Sequence, residues 1–381
     1  MSTEAQAARA ATNPLLGPNR LKLGIFAHNG SGSAHTVAPE AYAVTWPQTL
    51  ELSRTADAAG YEAIVPFGRW KGYVEGDPDH RSHECLEPYT WAAAIAQATE
   101  HAAVFTTSHV STIHPLLAAK QGATIDHISG GRFALNVVAG WQENEFRMFG
   151  TSLSERGDRY EQATEWLELI KRFWTEDAEF DFQGRFYTAE RALTRPRPVQ
   201  QPFPAIMNAG SSPAGKDFAA AHADLAFVIL ASEDPDVCRA QIAEYRDLAA
   251  REHGRDLQVW GYTYVIQRAT HAEAVAYERY LAERPDEPAL ETWMNGITAV
   301  QGLPPEVLAV MRHRSIVGMS GYPLVGTADE IAARLAGLSD AGLDGVLLTW
   351  VDYADGLARF NADVLPLLEQ AGLRAPAPSR G

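Results

Sequence analysis

Cysteine is almost absent from this chain of 381 residues: there are two, Cys85 and Cys238, and they form no C-x-x-C pair. That argues against a disulfide scaffold, and a reducing cytoplasm is the expected setting. Basic charge is scarce too, with 32 Lys and Arg against 48 Asp and Glu, a formal net charge of −16. An acidic chain without a basic cluster suits neither nucleic acid nor an anionic membrane as partner. No apolar run approaches the roughly 20 residues of a membrane helix. Met1 to Arg20 is Ala-rich and polar without an apolar stretch, so no signal peptide is expected. Also missing are a G-x-G-x-x-G fingerprint, a Walker-type phosphate loop, a G-x-S-x-G elbow and paired carboxylates at glycosidase spacing. Tight binding of NADH, nucleotide hydrolysis and serine-esterase chemistry therefore drop out.

What is present is an ordinary globular composition, 46% hydrophobic and 21% charged, which excludes pervasive disorder. Short β-rich runs alternate with helical stretches. Strands are predicted at Lys22–Ala27, Ala63–Phe67, Val104–Ser108, Phe133–Ala139, Ala205–Ala209, Ala226–Leu230, Val259–Ile266 and Val346–Val351. Helical segments follow them, the longest over 159–174 with Tyr160, Ala163, Leu167, Ile170 and Trp174 on one face. Eight such alternations predict an α/β fold, a closed (β/α)8 TIM barrel, in a single domain over 20–372. Two connections are too long for plain loops and are read as insertions, at about 140–204 and 284–326. Phe180 to Thr188 reads as a hairpin turning at Gly184. Residues 1–19 and 373–381 are expected to be flexible tails.

A barrel keeps its reactive groups at the C-terminal ends of its strands. Those ends supply His28, Gly68, Arg69, Thr107, Ser108, His109, Asn136, Gly140, Trp141, Asn208, Ser211, Ser212 and Trp350. Amides, hydroxyls and aromatics without a nucleophile suit a protein that positions a cofactor. Each residue also has a plainer reading. Asn136, mid-strand among apolar neighbours, is either part of a hydrogen-bonded polar layer or a ligand contact. Ser211 and Ser212 before a helix are either an ordinary N-cap or an anion site. Arg159-Tyr160 alone reads as a solvated Arg beside a core Tyr. Asp126 and Arg132 are read as an ion pair or cap at the closed end of the barrel. The H-x-x-H-E run at His80, His83 and Glu84 lacks the helical spacing of a zincin, so no metal site is expected. His83 and His28 are better used as substrate-pocket donors. Most tryptophans are core by composition, but Trp70 and Trp350, near strand ends, are candidates to line a pocket.

The run from Ala123 to Trp141, ATIDHISGGRFALNVVAGW, resembles a signature of the bacterial-luciferase-like flavin monooxygenases. Within them it is most similar to the branch of pyrimidine, dimethyl sulfone and alkanesulfonate monooxygenases. Supporting matches, in family order across roughly residues 20 to 370, are Glu145-Phe146-Arg147, Arg159-Tyr160-Glu161, Phe182 to Tyr187, Ala209 to Ser212 and Leu324 to Thr327. The resemblance implies a luciferase-like barrel that binds FMN, as FMNH2, at its mouth and uses O2. NAD(P)H would act only through a separate flavin reductase. It places flavin contacts on Gly68, Arg69, Asn136, Glu145, Arg159, Tyr160, Ser211 and Ser212, and oxygen handling on Thr107 and Asn136. The implied activity inserts one oxygen atom into a small substrate bearing a heteroatom, carbonyl or amide, often with C–N or C–S cleavage, in a homodimer or homotetramer. A flavin or deazaflavin hydride-transfer enzyme of the same fold and a non-catalytic flavin binder are the alternatives. Across Gly30–Pro39, Pro66–Trp70 and Gly72–His83 the resemblance fades, so these loops are expected to shape the substrate pocket.

Overall fold

In the structure, a computed structural model, residues 9, 12–150, 156–297 and 305–377 are described. Eight parallel strands close on themselves: β1 (Lys22–Phe26), β2 (Ala63–Val65), β3 (Ala103–His109), β4 (Phe133–Val138), β7 (Ala205–Asn208), β8 (Leu225–Val228), β9 (Gln258–Gln267) and β11 (Gly345–Thr349). The pairing of β11 with β1 and of β8 with β9 completes the ring. The predicted (β/α)8 barrel is borne out. Two further strands, β5 (Phe180–Gln183) and β6 (Thr188–Ala192), form the predicted antiparallel hairpin, closed by Gly184 N–H donating to Tyr187 O. The ninth parallel strand, β10 (Tyr322–Gly326), was not foreseen. It pairs with residues 263–267 of β9. β8 occupies the lower half of the same edge, so the long β9 carries the sheet beyond the barrel rim.

Strand parity separates two layers. Phe26, Phe105, Met207, Trp260, Tyr262 and Leu347 fill the barrel interior, whereas Ile25, Ile64, Leu135 and Leu348 face the helices. Several helices start alike, with a side-chain cap and a proline in the first turn: Thr45 with Pro47, Glu87 with Pro88, His114 with Pro115, Ser212 with Pro213 and Asp234 with Pro235. Proline loses no hydrogen bond there, and its fixed φ favours the helix start. The helix Arg156–Thr175 buries Ala163, Leu167, Ile170 and Trp174 as its spacing predicts.

Described residues near both ends pack against the barrel. Arg9 pairs with Asp224 at 3.0 Å, Asn13 donates to Gln200 Oε1 at 2.9 Å, and Leu15 plugs the barrel floor. At the other end Arg374 lies 3.4 Å from Glu62, and Leu21 N–H donates to Leu373 O. Residues 1–8, 10, 11 and 378–381 lie outside the described residues. Among the described residues no helix is long and apolar enough to cross a membrane.

Candidate active site

The C-terminal ends of β2, β3, β4 and β7 meet in one mouth. Parallel pairing sets Thr107 of β3 beside Asn136 of β4. Thr107 Oγ1 donates to Pro66 O at 2.5 Å, so it must accept from Asn136 Nδ2, 3.1 Å away. That fixes the amide's orientation and leaves Asn136 Oδ1 buried without a partner. The two sequence readings of Asn136 thus coexist: it belongs to a polar layer and still has an acceptor to offer. The Thr107 hydroxyl proton, in contrast, is engaged and is not free for a ligand.

Gly68, half-buried, lies over this pair. A Cβ there would press on His109 Cε1 at 3.2 Å and Thr107 Cγ2 at 3.3 Å, so a side chain would narrow the floor of the mouth. His109 shares the inward parity of Thr107. Its Nδ1 is 3.6 Å from Glu145 Oε2, and burial, opposed by the Glu145 charge, holds its pKa below the ordinary histidine value. Glu145 Oε1 accepts from the backbone N–H groups of Trp70 at 2.6 Å and Lys71 at 3.2 Å. This carboxylate therefore ties the short helix Glu143–Met148 to the loop after β2. Trp70, 39% exposed, stands at the rim against Phe149.

Across the mouth lies a second group. Arg159 Nη1 donates to Gly140 O at 2.6 Å. The helix Pro213–His222 begins beside Tyr160: a Cβ on Gly215 would sit 2.5 Å from the Tyr160 hydroxyl, and one on Gly210 would sit 2.6 Å from Gly215 Cα. Only glycines allow this approach of turn, helix and phenol. Ser212 caps the helix by accepting from Gly215 N–H at 3.2 Å, while Ser211 stays exposed. Helix amides, serine hydroxyls and a guanidinium together make an anion-binding donor set.

Three expected pocket residues have partners of their own. Ala27 adopts a left-handed backbone, φ 66°, which turns His28 outward between barrel and helices. There its Nε2 bonds Ser53 Oγ at 2.8 Å and its ring packs on Trp91. Trp350 has the outward parity of Val346 and Leu348 and packs on Tyr353 and Phe360. His83 staples its own loop, accepting from Gly72 N–H and donating to Val74 O, each at 3.0 Å. Arg69 does not reach the anion-binding group; its guanidinium lies over Phe67 and Tyr73 and donates to Ser31 O. His80 turns to Ser82 and Asp286, away from His83. The rings of His35, Tyr73 and Trp293 pack together; the sequence pointed to the loops that carry His35 and Tyr73 but singled out none of the three. Base rates assign such aromatics to the core, and Trp293 sits in the late insertion, far from any strand end. His109 was in view only as a strand-end residue.

The sequence model of the luciferase-like monooxygenases matches residues 21–345. The chain belongs to that family, as the resemblance implied. An FMNH2-dependent dimethylsulfone monooxygenase of Pseudomonas putida is 30% identical over 326 residues, 84% of this chain and 87% of that protein. The pyrimidine monooxygenase RutA of Acinetobacter baylyi is 28% identical over 355 residues, 91% of this chain and 95% of its own. Among solved structures, a long-chain alkane monooxygenase superposes with a TM-score of 0.82 at 21% identity, covering 95% of this chain and 94% of that one. At that identity the likeness speaks for the fold alone.

Proposed function

We propose that the chain is an FMNH2-dependent monooxygenase that inserts one oxygen atom of O2 into a small organic substrate bearing a heteroatom, carbonyl or amide. A separate reductase would supply the reduced flavin, because the chain carries no dinucleotide fingerprint. Carrying the reading is Asn136, whose amide is held in one orientation with a buried oxygen lacking a donor, at the floor of the mouth.

The residues fit the flavin. Ser211, Ser212, Tyr160 and Arg159 would hold its phosphate at the start of the helix Pro213–His222. Gly68 leaves room for a flat ring, and Asn136 Oδ1 would accept from a ring N–H. Bound there, the reduced flavin supplies the two electrons that activate oxygen. Thr107 keeps Asn136 oriented, so that the second Nδ2 hydrogen remains for a developing negative charge. Glu145 holds the Trp70 loop across the mouth, and Trp70 and Trp141 would shield the reaction from water.

The test combines oxidised FMN, a flavin reductase, NADH and isotopically labelled dioxygen with sulfones, heterocycles and amides as substrates. Product should carry the label, and NADH should not be oxidised until the reductase is added. Oxidised but unlabelled product would mark hydride transfer instead, and flavin binding without turnover would mark a binder.

A further inference from the structure

The loops that roof the mouth hold a buried cation without a counter-ion. Arg69 is 6% exposed. Its Nη2 donates to Ser31 O and, at 3.4 Å, to Glu84 O, and the Tyr73 hydroxyl lies close by, but Nε and Nη1 are buried with no acceptor in good hydrogen-bond geometry. Among the described residues no carboxylate forms an ion pair with it. Nearby Glu145 is engaged by the Trp70 and Lys71 amides, and Glu84 Oε2 accepts from Ser31 Oγ at 3.3 Å. Burying a guanidinium this way is unfavourable unless something else completes its hydrogen bonds.

What surrounds it is aromatic. The guanidinium carbon is 4.5 Å from the Phe67 ring centroid and 5.1 Å from that of Tyr73. The same Tyr73 ring packs against His35 at 5.2 Å, Trp293 at 5.8 Å and Trp141 at 6.4 Å. His35 is 1% exposed, and its Nε2 is also buried without a partner. Burial, with Arg69 and His80 nearby, holds its pKa down to about 3, so the ring is neutral.

We propose that Arg69, with His35, Tyr73, Trp141 and Trp293, recognises a planar ring bearing a carboxylate, and that this is the substrate class of the enzyme. The proposal rests on the reading of the mouth as a flavin monooxygenase site and adds the substrate's chemistry to it. The unmet guanidinium N–H groups would make charge-assisted hydrogen bonds to the carboxylate. Aromatic faces take the ring, and the roof loops must part to admit it.

The test is calorimetry on the full chain with oxidised FMN present, FMN binding being measured in the same preparations. The probes are benzoate and nicotinate against their neutral amides, benzamide and nicotinamide. The carboxylates should bind at least ten-fold more tightly than the amides. Arg69→Gln should abolish that preference while benzamide and nicotinamide bind as they do to wild type, and Trp141→Ala should weaken all four probes. Equal binding of acid and amide, no carboxylate binding to wild type that holds FMN, or a preference that survives in Arg69→Gln overturns the proposal. Should Arg69→Gln fail to fold, the wild-type acid-to-amide ratio decides alone. Wild type that binds no FMN would overturn the reading of the mouth itself, and the proposal with it.

Discussion

Arg132 and Asp126 at the floor of the barrel and Asn136 at its mouth are comparably buried and very differently satisfied. At the floor, Arg132, 8% exposed, donates to the carbonyl oxygens of Ala96, Thr99, Ala102 and Ser129. Asp126 accepts from Gln200 N–H at 2.9 Å, Gln200 Nε2 at 2.7 Å and Phe133 N–H at 3.4 Å. The predicted cap at the closed end holds, but these two do not pair with each other; both are engaged by other partners. At the mouth, Asn136 is 5% exposed, and its oxygen has no donor. Saturation marks a group placed for stability; an orphan that faces the mouth leaves an acceptor for a ligand.

The largest effect should come from breaking the floor. Arg132→Met strands four carbonyl oxygens that the guanidinium now satisfies. Stability should fall by about 3 kcal/mol or more, read as a lower urea midpoint. FMN affinity of the folded fraction should not move. An unchanged midpoint would erase the contrast between the two ends.

At the mouth the order should reverse. Asn136→Ala removes a group that satisfies few others, so stability should change by about 1 kcal/mol at most. Turnover should drop by about 10²–10³, the usual cost of losing one such donor, and product formed per oxygen consumed should fall with it. Thr107 acts through Asn136. Thr107→Val should therefore lose coupling of oxygen consumption to product, and Thr107→Ser should restore it. A variant pair that loses stability and keeps coupling would reduce Thr107 and Asn136 to packing.

How much of this was legible in the sequence follows from strand parity. The β3 and β4 segments were read within a residue or so. Thr107 and Asn136 point inward because alternation places them with Phe105 and Ala134. Parity also foretells that Trp350 faces the helices with Val346 and Leu348, a signal overlooked in favour of its nearness to a strand end. Parity fails at His28, because Ala27 leaves the β region at φ 66° and nothing about an alanine announces that. Strand β10 was hidden inside a stretch read as insertion, where Tyr322–Gly326 is short and begins beside a glycine. The aromatic cluster around Tyr73 joins loops distant in sequence, so no local pattern encodes it.

His28 sharpens the comparison, being an orphan that lies at neither end. It is fully buried, Nε2 donates to Ser53, and Nδ1 has no partner. Ser53 donates onward to Thr49 O at 2.7 Å, which fixes the neutral tautomer with Nδ1 as bare acceptor. Unlike Asn136 it packs on Trp91, Tyr353 and the helix Trp46–Ala58, so it should contribute a pH dependence of folding and nothing to turnover. Burial pushes its pKa down to about 3, against 6.5 for the ordinary side chain. The folded state then binds fewer protons than the unfolded one, so stability rises with pH. The contribution is fully present above about pH 6.5 and is lost, at about 1.4 kcal/mol per pH unit, as pH falls toward 3. Other buried histidines add to the wild-type slope, so the readout is a difference. His28→Gln should lower stability at neutral pH yet flatten the decline between pH 6 and 4 (both limits approximate) by about that amount per unit. Parallel stability–pH curves for wild type and variant would show that His28 does not titrate as a buried neutral group, and the orphan at Nδ1 would need another account.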